Sequence, residues 1–398
     1  MSWHTCDLMK AREEFILDWK RGGLPFAGLC RRHGISRKTG YKWLGRHEAE
    51  GLAGLADHSR KPRSSPARAS AELEARVIAI RGEYPCWGGR KIRQVILREG
   101  GVGGIIPASS TVTNILRRHD LLGPGMRGGA KPFIRFRRAE PNDLWQMDFK
   151  GHFAMAGGRR CHPLTVLDDH SRYNLVLQAC GAERDEEVRR HLVAAFQRFG
   201  LPRQLLCDHG SPWGTGLRAD GGIYGRTALS YWLMRLGVEM IHGRPRHPQT
   251  QGKEERFHRT LDMEVIARTQ LWRDLEHCQQ AFERFTRSYN EVRGHEELEM
   301  ATPGECYRPS AREYPGRLPE VEGYYLEGDV LRQVRSKGEI TFGNRTYAIG
   351  SALAGQMVAL RGGAAGTWDV YYCWKKLGVI HPAEATKEKG SQNRLLED

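Results

Sequence analysis

Leu144-Trp145-Gln146-Met147-Asp148-Phe149 alternates with period two. That period puts Leu144, Gln146 and Asp148 on one face of a strand and Trp145, Met147 and Phe149 on the other. The bulky face can enter a core while the acid looks the other way. A second acid, Asp208, ends the apolar run Leu205-Leu206-Cys207, and His209-Gly210-Ser211-Pro212 stops that strand. A third, Glu255, lies in His247-Pro248-Gln249-Thr250-Gln251-Gly252-Lys253-Glu254-Glu255-Arg256-Phe257-His258-Arg259, where Pro and Gly close a loop and a helical pattern begins. Three carboxylates suit a pair of Mg²⁺ ions, with Mn²⁺ as substitute. Mg²⁺ is hard, takes oxygen ligands and leaves positions to water and phosphate. Two such ions can stabilise the attacking and leaving oxygens of an in-line displacement at phosphorus.

On these motifs the segment from about 143 to 301 resembles the catalytic core of insertion-sequence transposases of the retroviral-integrase type. The resemblance implies an RNase H-like fold with Asp148, Asp208 and Glu255 as both catalytic triad and metal ligands. It implies a polynucleotidyl transferase that cuts one DNA strand with water and uses the exposed 3′-OH to attack target DNA, with no covalent protein–DNA intermediate. The implied partners are double-stranded DNA, as terminal inverted repeats and as target, and further copies of the chain in a homo-oligomer of at least two. This sequence departs from the pattern twice. Asp208 and Glu255 are 47 positions apart (255 − 208), longer than the retroviral spacing, and the excess falls in the Gly-rich stretch from Trp213 to Thr227. His209 stands where such sequences often carry Asn.

Rival carboxylates have simpler readings. Asp168 and Asp169 sit in Asp-Asp-His-Ser-Arg, where Asp side chains bond local backbone in a turn. Asp220 falls in the Gly-rich insertion and reads as solvated. Glu254 neighbours Glu255, but adjacent helical residues point about 100° apart, so one of the two is expected to face the site. The family motif selects Glu255; the plain alternative is an i,i+4 ion pair with Arg259. Gln251, Lys253 and Arg259 flank it as candidate DNA contacts, since phosphate positioning needs such donors.

The chain carries 62 Lys+Arg against 47 Asp+Glu, a net charge of +15. That excess favours phosphate-rich partners, although basic chains also bind acidic proteins. No apolar run reaches the ~18 residues of a membrane span. Met1-Ser2-Trp3-His4-Thr5 has no signal-peptide pattern. Nine cysteines without a Cys-x-x-Cys pair read as reduced and mostly buried, in a cytosolic protein; the resemblance implies a bacterial, nucleoid-associated one. No zinc-type His/Cys spacing appears, so the zinc-binding N-terminal domain of retroviral integrases is not expected.

Leu8, Met9, Phe15, Ile16 and Trp19 recur at helical spacing near the N-terminus. Further on, Gly34 suits a tight turn between helices and Ser36 can cap the next one. That helix carries Arg37, Lys38 and Lys42, with Tyr41 and Leu44 free to pack inward. The pattern resembles a helix-turn-helix reading the major groove, the alternative being a helical hairpin with a solvated basic face. Gly40 inside the helix costs roughly 1 kcal/mol against Ala, which suggests close approach to DNA or to another helix. Arg60, Lys61 and Arg63 lie in a Pro/Ser-rich linker that reads either as a strap along DNA or as a tether. Residues 70–122 form a second helical unit, a weaker helix-turn-helix candidate or a structural bundle. Arg90 and Lys91 open one of its helices as candidate DNA contacts, and Pro107-Ala108-Ser109-Ser110-Thr111-Val112 reads as a capped helix start.

The expected architecture is multidomain: N-terminal all-α helix-turn-helix units, a central α/β RNase H-like core and a C-terminal small SH3-like β-barrel. The expected boundaries are a DNA-binding domain over 1–55, a basic linker 56–69, the second helical unit 70–122, a linker 123–140, the core 141–302, a linker 303–320, the barrel 321–383 and a tail 384–398. In the core, strands near 143–150, 162–167 and 173–177 are expected to pair antiparallel. After them come a helix near 183–199, a strand at 203–207, a strand at 238–241 and the Glu255 helix over 252–268. In the barrel, a hairpin should turn at Gly343-Asn344. Two further readings stay open: a helix-turn-helix regulator whose core is inactive, and an RNase H-type nuclease.

Overall fold

The computed structural model describes residues 7–58, 68–122, 137–214, 226–243, 252–381 and 393–394. Arg60, Lys61, Arg63, Asp220 and Gln251 lie outside them. The chain divides into two compact units, 1–68 and 69–398.

In the first unit, α1 (Leu8–Arg21), α2 (Phe26–Arg32) and α3 (Arg37–Glu50) close around Phe15, Ile16, Leu29, Cys30, Trp43, Leu44 and Leu55. Gly34 takes φ +65° at the turn, a conformation that costs a side chain steric strain. Ser36 Oγ accepts from Thr39 N at 3.1 Å, capping α3 as expected. Gly40 faces the other helices. A Cβ there would lie 2.8 Å from Cys30 Sγ, 2.9 Å from Phe26 Cζ and 3.0 Å from Phe15 Cζ. Gly40→Ala should therefore lower the stability of this unit by ~1–3 kcal/mol despite the better helix propensity of Ala; denaturant unfolding measures it, and an unchanged or raised midpoint would contradict this packing. Tyr41 does not pack inward: it is exposed, with its ring stacked on Phe26 at 4.1 Å. Leu8, Met9 and Trp19 are exposed as well, and the buried stripe of α1 is Ala11, Arg12, Phe15 and Ile16.

The second unit opens with α4 (Ala71–Glu83), α5 (Gly89–Arg98) and α6 (Ser109–Arg118). Leu73, Val77, Ile80, Trp87, Ile92, Ile96, Val112, Ile115 and Leu116 form their core. α6 starts after Ala108, without a side-chain cap. Arg98 ties this bundle to the rest of its unit: its guanidinium donates to Val292 O at 3.0 Å and pairs with Glu305 at 2.7 Å.

The central sheet holds β1 (Leu144–Phe149), β2 (Phe153–Ala154), β3 (Arg160–Asp168), β4 (Asn174–Cys180), β5 (Gln204–Cys207) and β6 (Glu239–His242). Its order is β2-β3-β1-β5-β6, with β4 also pairing β3. β1, β3 and β4 pair antiparallel as expected, while β1, β5 and β6 run parallel. Trp145, Met147 and Phe149 enter a core with Val188, Leu192 and Phe196 of α7 (Asp185–Phe199) and Leu229 and Leu233 of α8 (Ala228–Arg235). On the opposite face, α9 (Gly252–Glu264) and α10 (Leu275–Arg287) pack Phe257, Leu261, Phe282 and Phe285 against Leu167, Leu177 and Ala179. The sheet is thus covered on both faces, and Asp148 looks toward the α9 side.

The C-terminal part joins a four-stranded sheet, β7 (Val330–Gln333), β10 (Met357–Gly362), β11 (Trp368–Tyr372) and β12 (Lys375–Ile380), to a three-stranded one, β8 (Glu339–Phe342), β9 (Arg345–Ala348) and β13 (Asn393–Arg394). The hairpin turns at Gly343-Asn344 with both φ angles positive, +56° and +58°, the geometry that suits a tight two-residue turn. The two sheets share one core, but among the described residues they do not close into the expected SH3-like barrel. That core takes in Tyr231 and Met234 of α8, and Trp374 Nε1 donates to Met234 O at 3.1 Å. α8 thus serves two cores at once.

Candidate active site

β1 and β5 run parallel with Leu144 opposite Gln204 and Gln146 opposite Leu206. Continuing that register two residues brings Asp148 beside Asp208 at the ends of the strands. Burial, and then the charge of Asp208, push the Asp148 carboxyl up to about 7. Low-dielectric surroundings and a like charge both disfavour the ionised form. Asp208 is held from its own side of the sheet. Its Oδ1 accepts from Gly210 N at 2.9 Å and from the Trp213 indole Nε1 at 2.5 Å. Trp213 is buried and stacks on Phe149 at 5.3 Å. Nothing in the sequence points to this indole, since Trp213 reads there only as the start of an insertion. The His209 and His242 rings stack at 5.1 Å, and His242 Nδ1 lies 2.7 Å from Asp208 O.

α9 supplies both glutamates, and they diverge. Glu254 turns inward: its side chain is 0% exposed. Its Oε2 lies 3.0 Å from Thr165 Oγ1, while Oε1 has no partner among the described residues. Burial first, and then Asp148, push its carboxyl well above the usual range. The Thr165 hydroxyl also lies within 2.9 Å of Asp148 O and 2.8 Å of His258 Nε2. His258 Nδ1 is 4.0 Å from Asp148 Oδ2. Burial, with Lys150 adding, pulls that imidazole down to about 4, so it stands neutral. Glu255 points outward instead, 69% exposed and 3.9 Å from Arg259. The expected triad is therefore assembled only in its two aspartates. Among the described residues no three Asp, Glu, His or Cys side chains converge tightly enough to hold a metal.

Asp168 bonds local backbone as the turn reading expects, whereas the Asp169 carboxylate departs from that reading and bonds distant segments. Asp168 accepts from Ser171 N and Asn142 N, each at 2.7 Å, and from Ser171 Oγ at 2.6 Å. Asp169 accepts from Gln146 Nε2 at 2.7 Å and from Arg138 N at 2.8 Å. It also pairs with Lys253, so Lys253 points into the protein rather than outward to DNA. The physical reason is the fully buried Asp169 charge, which requires a partner. Burial, with Arg172 adding, brings Lys253 down to about 8.

The remaining expected DNA contacts divide. Arg37, Lys38 and Lys42 are exposed along α3, with Lys42 Nζ over the Trp43 ring at 4.6 Å. Arg90 pairs with Glu296 at 3.3 Å. Burial, then Arg293, lowers Lys91 to about 8. Both are engaged with the body of their own unit. No helix among the described residues is long and apolar enough to cross a membrane.

A helix-turn-helix domain family matches residues 11–63 and a homeodomain-like domain family matches 39–116. Integrase core domain families match residues 138–248 and 236–303. The chain is 24% identical over 294 residues to the uncharacterized 39.2 kDa protein of insertion element IS476 of Xanthomonas euvesicatoria, covering 72% of this chain and 79% of that protein. It is 23% identical over 262 residues to the uncharacterized 31.7 kDa protein of insertion element IS407 of Burkholderia multivorans, covering 64% and 87%. The Gag-Pro-Pol polyprotein of squirrel monkey retrovirus matches at 31% over 121 residues, which is 30% of this chain and 6% of the polyprotein. The HTLV-2 integrase catalytic core domain in complex with magnesium aligns at 14% identity over 43% of this chain and 100% of that one, with a TM-score of 0.32.

Proposed function

We propose that this chain, an insertion-sequence transposase with a retroviral-integrase-type core, binds the terminal inverted repeats of its element, cleaves one strand and joins the resulting 3′-OH to target DNA. The observation that carries this reading is the Asp148–Asp208 pair at the ends of adjacent parallel strands, with Asp148 lifted to about 7. Two neighbouring carboxylates with excess negative charge fit a hard divalent cation. Asp148, Asp208 and Glu255 would hold Mg²⁺, and Mg²⁺ there would supply charge stabilisation at the attacking and leaving oxygens.

The protein's own groups divide the remaining work. Trp213 and the Gly210 amide hold Asp208 in one orientation. The neutral His258 and the Thr165 hydroxyl buttress β1 behind Asp148. Glu254 is sealed from solvent, while Glu255 is accessible on the first turn of α9, which favours Glu255 as third ligand. The exposed Arg37, Lys38 and Lys42 on α3 are assigned to the DNA ends, at work in a homo-oligomer of at least two copies.

Removal of residues 1–68 separates end recognition from chemistry, because those residues form their own compact unit. The remaining protein should keep a weak, salt-sensitive affinity for any duplex, since phosphate neutralisation carries no sequence information. It should lose preference for terminal over scrambled DNA. In the full chain, Arg37→Ala or Lys38→Ala should reduce discrimination by ~1–3 kcal/mol where the side chain makes a bidentate base contact, and by less where it touches only phosphate. Binding to both DNAs at two salt concentrations measures this. A truncated protein that prefers terminal DNA as strongly as the full chain would remove recognition from the first unit.

A further inference from the structure

Asp169 is fully buried, yet it takes part in no step assigned to the triad. Its carboxylate gathers three segments. It accepts from Gln146 Nε2 at 2.7 Å, and Gln146 lies on β1, on the same face as Asp148 and two residues before it. It accepts from Arg138 N at 2.8 Å, where the chain enters the core. It pairs with Lys253, the second residue of α9, whose ammonium also reaches Asp169 O at 3.2 Å. The backbone of Asp169 is fixed too, its N–H donating to Leu144 O at 2.9 Å. Lys253 is only 17% exposed, so it crosses protein rather than water to make this contact.

We propose that Asp169 is a positioning residue: through Lys253 it clamps the first turn of α9 to β1 and so fixes where Glu255 stands relative to Asp148. The inference rests on the reading of Glu255 as a metal ligand. Helix termini fray because their first N–H groups lack intrahelical partners. Without a tie, the turn bearing Glu255 would be the loosest part of α9. The pair ties that turn to the strand carrying Asp148, leaving Glu255 accessible but with a restricted range. A ligand held within a small range binds its ion with less ordering cost.

The test uses the full chain with Asp169→Asn, Lys253→Met and Lys253→Arg. In metal-free protein, hydrogen exchange of amides 252–258 should quicken at least tenfold in Asp169→Asn and Lys253→Met, with β1 and β5 unchanged. Lys253→Arg, which keeps the charge, should retain most of the protection. Mn²⁺ binding measured by electron paramagnetic resonance should weaken in the first two variants. The Mg²⁺ concentration for half-maximal strand transfer should rise about tenfold, with KM for DNA unmoved. Should Asp169→Asn fail to fold, Lys253→Met carries the test. Unchanged exchange at 252–258 in Lys253→Met would overturn the clamp, as would faster exchange spread evenly over the whole sheet. Wild-type protein that shows the exchange pattern but no metal-dependent strand transfer would leave the clamp standing and sink the functional reading instead.

Discussion

Asp148→Asn, Asp208→Asn and Glu255→Gln should each reduce DNA cleavage and joining by about a hundred- to a thousandfold, the range seen when a group acting on transition-state charge is lost. Binding to terminal DNA should stay within a few-fold of wild type, because the contacts proposed for α3 belong to a separate unit. Glu254→Gln is the informative companion. Glu254 is buried against Thr165 and His258 and its carboxyl is held toward the neutral form, so the amide, close in shape, should leave most of the chemistry in place. Gel assays of strand cleavage and strand transfer on a labelled terminal duplex measure all four. If Glu254→Gln is inactive while Glu255→Gln turns over, the third ligand is Glu254 and the motif-based choice is wrong.

Asp148→Asn should also make the metal-free protein more stable at pH 8. The direction of the shift sets the sign. The folded-state carboxyl sits at about 7, whereas an unfolded Asp titrates near ~3.9. Between those values the folded chain binds the proton and the unfolded chain does not, so stability falls as pH rises from about 4 to about 7 and then levels off. Asn carries no charge and escapes that loss. At ~1.4 kcal/mol per pKa unit, and with the side chain partly open to solvent, the gain should be about 2–4 kcal/mol at pH 8 and near zero at pH 4. Mg²⁺ should stabilise wild type at pH 8 through mass action and do so far less in the variant. Denaturant unfolding at both pH values checks this. A loss of stability at pH 8, or a gain independent of pH, would contradict the electrostatic origin given for the behaviour of the aspartate pair.

Local signals survive folding because they act locally. The alternation through Leu144–Phe149 sends Trp145, Met147 and Phe149 into one core. Ser36 caps α3, and Gly343-Asn344 forms its turn. Gly40 carries a packing meaning because three side chains from α1 and α2 occupy the space a Cβ would need. Features that depend on what lies across the sheet are not legible. Period and spacing cannot say that the Trp213 indole returns to Asp208, since that depends on how the chain bends after β5. Lys253 reads as a surface cation until a buried Asp169 supplies its partner. A 100° step distinguishes Glu254 from Glu255 but does not say which faces inward; burial against Thr165 and His258 decides it. The strand-rich C-terminus is readable as strands, but not its packing on Tyr231 and Met234, which draws α8 into its core.

Attack on target DNA, at the aspartate pair, by a 3′-OH generated at the element's end is tested most directly by a joining assay. The full chain is incubated with a labelled pre-cut terminal duplex and supercoiled plasmid, with and without Mg²⁺, and with the terminal 3′-OH present or replaced by 3′-H. Label should join the plasmid only when both Mg²⁺ and the 3′-OH are present. Joining that persists in chelator or with the 3′-H end, or tight terminal binding with no joining under any condition, would contradict this chemistry.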